Sequence, residues 1–131
     1  MNRAKISLLL LTLLLGFCTF ALVNTRRTHA RMQEMVRQTL ALEMVDGMPD
    51  GESVSLVRHI DRLRDAWESD SRIVSVYSRH DEVERVSEDI QKLRPLCDTA
   101  QYTELRLTLC QIQASLDHLL DTELPTFSNI L

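Results

Sequence analysis

At 131 residues, 44% hydrophobic and 5% aromatic, the chain has room for one small domain beside any targeting segment, and too little for the larger core most enzymes use. Fifteen basic residues stand against 19 acidic ones, a formal net charge of −4. An acidic chain with no basic stripe argues against a nucleic-acid partner.

The first element is the sharpest. "ISLLLLTLLLGFCTFALV", Ile6 to Val23, is 18 residues without a charge. As a helix it reaches about 27 Å, close to the ~30 Å hydrocarbon thickness of a bilayer. A signal-peptide core is shorter, about 7 to 15 residues, and ends in a small-x-small cleavage site. The exit here is "FALVNTRR". The "LLGFC" stretch places Phe17 where a lipobox needs a small residue before Cys18. The reading is an uncleaved signal-anchor over 1–23 and a helical domain over 24–131. Arg3 and Lys5 precede the run, and Arg26, Arg27, Arg31 and Arg37 come after it. The positive-inside rule is nearly balanced between the two sides. The short amino-terminal tail favours export, so the expected location is a cell membrane, single-pass, with the domain outside the cytoplasm. The arginines after the run suit anionic head groups on whichever side they lie.

Residues 24–131 carry 13 basic and 19 acidic side chains, a formal −6, and are read as helical throughout. Met32, Met35, Val36, Leu40 and Met44 recur at helical spacing, which predicts one helix running from the anchor to about Val45. "DGMPDGES" is the strongest loop in the chain, and Glu52-Ser53 is a cap for the second helix. Leu56, Ile60, Leu63 and Trp67, resumed by Val74 and Tyr77, predict that second helix from about Ser53. It is either one rod of about 25 residues or two pieces kinked at "ESDS". Val83, Val86, Ile90, Leu93 and Cys97 form the seam of a third helix. Asp81 and Glu82 complement its dipole, and Pro95 ends or bends it. Tyr102, Leu105, Leu109, Ile112, Leu116 and Leu119 form the seam of a fourth, over about 99–121. Seams stepping by three and four fit near-parallel packing. The predicted fold is all-α: an N-terminal transmembrane helix, then a small three- to four-helix antiparallel bundle.

Cys97 and Cys110 are read as small core residues. On a hairpin, Cys110 lies about 15 Å up the second helix from its turn, and a disulfide needs Cα atoms within roughly 7 Å. The ending "ELPTFSNIL" is apolar at Leu124, Phe127, Ile130 and Leu131, and is expected to fold back over the bundle or to meet a partner or the membrane surface.

With Trp67 in the second helix, "SRHDEVERVSEDIQKL" at 78–93 and "SLDHLLDTELPTFSNIL" at 115–131, the chain resembles an uncharacterised bacterial family, domain of unknown function 4363. Trp67, His80-Asp81-Glu82 and Ser128-Asn129-Ile130-Leu131 carry the closest likeness. The resemblance covers nearly the whole chain. It implies a single-pass membrane protein with a small helical domain and brings no assigned activity. Trp67, His80 and Asn129 are taken as interaction or structural positions.

No H-E-x-x-H, C-x-x-C, nucleophile elbow or Gly-rich phosphate loop occurs, so neither an enzyme nor a cofactor is expected. One constellation could bind something. If the third and fourth helices turn near residue 98, His80 and His118 lie at similar heights, with Glu84 a turn from His80 and Asp117 and Asp121 beside His118. Two imidazoles and carboxylates suit a divalent metal or a pH-sensitive latch. The plainer reading is that both histidines flank the seams and hydrogen-bond or face water. Trp67 is read as core in preference to an exposed anchor. The methionines at 32, 35, 44 and 48 are read as covering the bundle in preference to forming an adaptable contact surface. The expected role is a non-catalytic accessory or protein-interaction component at the cell envelope, with a membrane-protein partner or a second copy. The alternative is a ligand, metal or pH sensor at the His80/His118 end.

Overall fold

The structure, a computed structural model, describes residues 2–45, 47–76 and 78–123, with side-chain surroundings given as far as residue 119. The tail at 124–131, with Asn129, lies outside the described residues, as does Tyr77. Four helices make up the fold: α1 (Arg3–Leu40), α2 (Asp50–Val74), α3 (His80–Asp98) and α4 (Tyr102–Glu123). Among the described residues there is no strand. Each helix packs on its neighbours in sequence, and α1 also packs on α4, closing a ring. Joined by short loops, the helices run up, down, up and down as an antiparallel bundle.

The core lies along the seams read from the sequence. Leu56, Ile60, Leu63, Trp67 and Val74 of α2 are buried. So are Val83, Val86, Ile90, Leu93 and Cys97 of α3, and Leu105, Leu109, Ile112, Leu116 and Leu119 of α4. Tyr102 is half-buried at the start of that last seam.

The helix α1 does two jobs on one backbone. From Thr25 onward it contributes Thr25, Thr28, Met32, Val36 and Thr39 to the bundle. Before Thr25 it projects alone, and we call this part the stem. Its leucines from Leu8 to Leu15 are exposed, and none of its apolar window is buried. At 1.5 Å per residue the 22 residues from Arg3 to Asn24 extend about 33 Å. Thr12 and Thr19 bond back to the carbonyls of Leu8 and Leu15 at 2.9 and 2.8 Å, so their hydroxyls place no free donor on the apolar surface.

Boundaries in α1, α2 and α3 differ from the sequence reading, and α2 takes the single-rod form of its two alternatives. The helix α1 stops at Leu40 instead of Val45. Leu42, Met44 and Met48 leave helical geometry and pack over the end of the core, so burial of the loop wins over helix extension. The helix α2 begins at Asp50, three residues early. Pro49 fixes the backbone at its N-cap, and Asp50 and Glu52 set negative charge in its first turn. No kink occurs at Glu68–Ser71: α2 is helical for 25 residues, and Asp70 turns toward Arg31 of α1. Pro95 does not end α3, which continues to Asp98, because the buried Leu93 and Cys97 hold the seam on both sides of it.

What ends α3 is a Schellman turn. The N–H of Gln101 bonds the carbonyl of Leu96 at 2.9 Å and that of Ala100 bonds Cys97 at 3.1 Å. Ala100 occupies the left-handed position with φ 54°. A Cβ there costs roughly 1–2 kcal/mol, partly offset because glycine adds entropy to the unfolded chain. Ala100→Gly is therefore expected to stabilise the bundle by about 0.5–1 kcal/mol. A thermal melt showing a midpoint unchanged or lowered would contradict it.

Candidate functional site

Several polar cross-helix contacts lie at the end from which the stem leaves; farther along, Arg94 of α3 grips Asp61 of α2 through both carboxylate oxygens at 3.0 and 2.9 Å. The contacts at the stem end are pairs in antiparallel register. His29 Nε2 lies 2.7 Å from Asp117 Oδ1, joining α1 to α4. One turn up, Gln33 Nε2 donates to Asp117 Oδ1 at 2.9 Å and to the Gln113 carbonyl at 3.0 Å. The i,i+4 spacing of 29 and 33 on one helix thus meets the same spacing of 113 and 117 on the other. Arg31 reaches Asp70 at 3.6 Å, joining α1 to α2. His118 Nδ1 lies 3.2 Å from Glu82 Oε1, joining α4 to α3.

Glu82 is the most buried acid of this end, its side chain 7% exposed. His118 holds one of its oxygens; the other, Oε2, has no hydrogen-bond partner among the described residues. The same is true of Ser78 Oγ, and of Asp70 Oδ2 across the α2–α3 turn. A buried carboxylate answered mainly by an imidazole is costly unless that imidazole carries a proton.

Trp67 is core: it is 2% exposed, and its Nε1–H donates to Ser87 Oγ at 2.8 Å. Ser87 passes its own hydrogen to the Val83 carbonyl at 2.9 Å, so the indole donor is satisfied inside an apolar layer. Met32 and Met44 are buried, and Met35 and Met48 pack half-buried against the core.

The structure does not assemble the histidine constellation read from the sequence. His80 opens α3 and is exposed, and Glu84 is exposed one turn on. His118 faces Glu82 instead of His80. Among the described residues no group of three His, Cys, Asp or Glu side chains stands close enough to hold a metal ion. Cys97 is buried, and that burial pushes its thiol above the ordinary range. Cys110, read as core, is exposed: it sits one residue after Leu109, about 100° around the helix from the seam.

Sequence reasoning missed His29, Gln33 and Glu82. The matched i,i+4 pairs on α1 and α4 were a usable signal, but only once the first and last helices are known to touch. At the opposite end Met44, Tyr102, Leu107 and Cys110 line an open groove, and Glu88, Lys92 and Gln111 line another between α3 and α4.

No protein-family model matches the chain, and neither the curated proteins nor the solved structures contain a match to it.

Proposed function

We propose that this chain is a non-catalytic, single-pass membrane-anchored module of the bacterial cell envelope, with its bundle facing outward as an accessory or interaction component for a membrane protein or a second copy. One observation carries the reading. The stem is apolar and long enough to cross a bilayer, with no buried residue in its apolar window, yet it is continuous with a helix whose next residues are core. An isolated apolar rod of this kind is stable only in lipid or against a partner. The open groove beside Leu107 offers a partner a surface away from the stem. The family resemblance is part of the same proposal and adds architecture and membrane attachment, not activity.

The test uses Gly51, which is exposed with open space around it. Gly51→Cys, with the native cysteines replaced, is exposed to a membrane-impermeant maleimide on intact cells. Labelling of a full-length, membrane-bound protein is expected. Labelling only after lysis would overturn the outward orientation, and a shortened soluble product would overturn the anchor.

A second reading is favoured by the His118–Glu82 contact: a ligand sensor at the stem end. The imidazole lies 3.2 Å from a buried carboxylate whose other oxygen, Oε2, has no hydrogen-bond partner among the described residues, so a polar ligand would find an acceptor there. His118→Gln is expected to lower the melting temperature by a few degrees, because the buried carboxylate loses its cross-helix partner. An unchanged melting temperature would sink the reading.

A further inference from the structure

The stem and the bundle share one unbroken helix, so the bundle's register fixes how far each loop lies from the end of the apolar run. Arg31 faces Asp70, and from there α2 runs back toward the stem. Val76 is six residues beyond Asp70, about 9 Å at helical rise, which brings it level with Thr25. Thr25 is two residues past Val23, about 3 Å. The turn between α2 and α3 therefore ends within a few ångströms of the plane where the apolar run ends. The head-group layer of one leaflet is about 5–7 Å thick.

The chemistry of that turn fits such a plane. Val76 is 72% exposed, more than any leucine of the stem, and Ile73 is 45% exposed one turn before it. Near the same height along the bundle are exposed arginines. Arg79 is answered by Asp81 at 3.0 Å and Arg31 by Asp70. Arg26, Arg27 and Arg72 have no ion pair among the described residues. Two exposed apolar side chains at the same height as unanswered arginines, beside a helix long enough to enter a bilayer, have the composition of an interfacial membrane contact.

We infer that the α2–α3 turn is a lipid-docking surface: it seats the bundle on an anionic bilayer, with Ile73 and Val76 at the acyl boundary and Arg26, Arg27 and Arg72 against lipid phosphates. The inference rests on the membrane-anchored reading. It adds that the bundle does not stand free of the surface. Arginine suits this role because its planar fork meets a phosphate through two hydrogen bonds. Each such arginine favours the docked state about fivefold in an anionic membrane, and salt weakens it over a Debye length of about 10 Å.

The test uses the full-length chain in lipid vesicles. Val76→Cys, with the native cysteines replaced, carries an environment-sensitive fluorophore; Leu107→Cys carries the same probe on a part of the bundle away from the stem. Vesicles contain phosphatidylcholine alone or with phosphatidylglycerol, each with a lipid-borne quencher. Flotation is read first: a protein that fails to float with the vesicles has lost the anchor, and the membrane-anchored reading fails. For a protein that floats, the probe at 76 is expected to be quenched in phosphatidylglycerol vesicles and released by high salt, while the probe at 107 is not quenched. Replacing Arg26, Arg27 and Arg72 by Gln together should abolish the difference between the two lipids while flotation persists. This variant leaves the core untouched, so its melting curve controls for folding. A probe at 76 that floats unquenched in both vesicles overturns the docking. Equal quenching in neutral vesicles overturns the role given to the arginines. Shielding that grows with protein density instead of lipid charge means that a second copy covers the turn, and also overturns it.

Discussion

Leu14→Arg together with Leu15→Arg is expected to move the protein from the membrane fraction to the soluble one without unfolding it. The two positions lie at the middle of the uncharged run, where an arginine costs about 2.5–3.5 kcal/mol on insertion scales. Together they ask for roughly 6 kcal/mol. The Leu, Ile, Phe and Val residues left in the run supply only about 0.3–0.6 kcal/mol each, roughly 3–6 kcal/mol in all, so the change takes most or all of the insertion energy. The bundle should not notice. No residue of the apolar window is buried, and the first core contact of α1 is Thr25. Melting of the variant, monitored by far-UV circular dichroism, should stay within about 0.5 kcal/mol of the parent, as for a surface change. The conservative control, Leu14→Ala with Leu15→Ala, keeps the run uncharged and should remain membrane-bound. A double-arginine protein that still pellets with membranes would mean that attachment does not run through the stem. One that unfolds would mean that the stem packs against a protein surface, in a partner or another copy.

Much of the bundle was legible because its helices obey one rule, apolar residues every three or four positions, and the seams of α2, α3 and α4 are buried where that rule places them. The ends were less legible, since they are decided by tertiary contacts. Leu40 ends α1 because Met44 is worth more folded over the core than extended along a helix. Pro95 reads locally as a helix breaker, but a proline removes one hydrogen bond, while the seam around it buries Leu93 and Cys97. The candidate site failed on register. Taking the α3–α4 turn near residue 98 sets His118 only roughly level with position 80. The turn pivots on Ala100, whose positive φ no local pattern announces, and that pairs His118 with Glu82. Two residues are only about 3 Å of height but about 200° of rotation, enough to exchange one face for the other. The His29–Asp117 contact was beyond reach for a different reason. It joins residues 88 apart, and only closure of the ring brings α1 against α4.

Trp67→Ala is expected to be the most damaging single change in the bundle, at about 4 kcal/mol. A domain of this size has roughly 5–15 kcal/mol in total, so the loss takes a large share of it. Two terms add. The indole fills the layer between α2 and α3, and alanine leaves a cavity that rigid neighbours fill only in part. The substitution also removes the donor to Ser87, which then keeps only its bond to the Val83 carbonyl. The terms separate by comparison. Trp67→Phe keeps most of the volume and loses the donor, and should cost about 1–2 kcal/mol. Ser87→Ala keeps the indole but orphans its buried N–H, and should cost about 1–3 kcal/mol. If the hydrogen bond is what links these positions, the double variant Trp67→Phe with Ser87→Ala will cost less than the two single losses combined, because once the donor is gone its acceptor is no longer needed. His80→Ala, exposed at the start of α3, should change stability by less than about 0.5 kcal/mol. Should Trp67→Ala cost as little as His80→Ala, the indole would be a surface anchor held for a partner and the core assignment would fall. A large loss at 67 with none at 80 leaves His80 as the position whose role, if it has one, lies outside the fold.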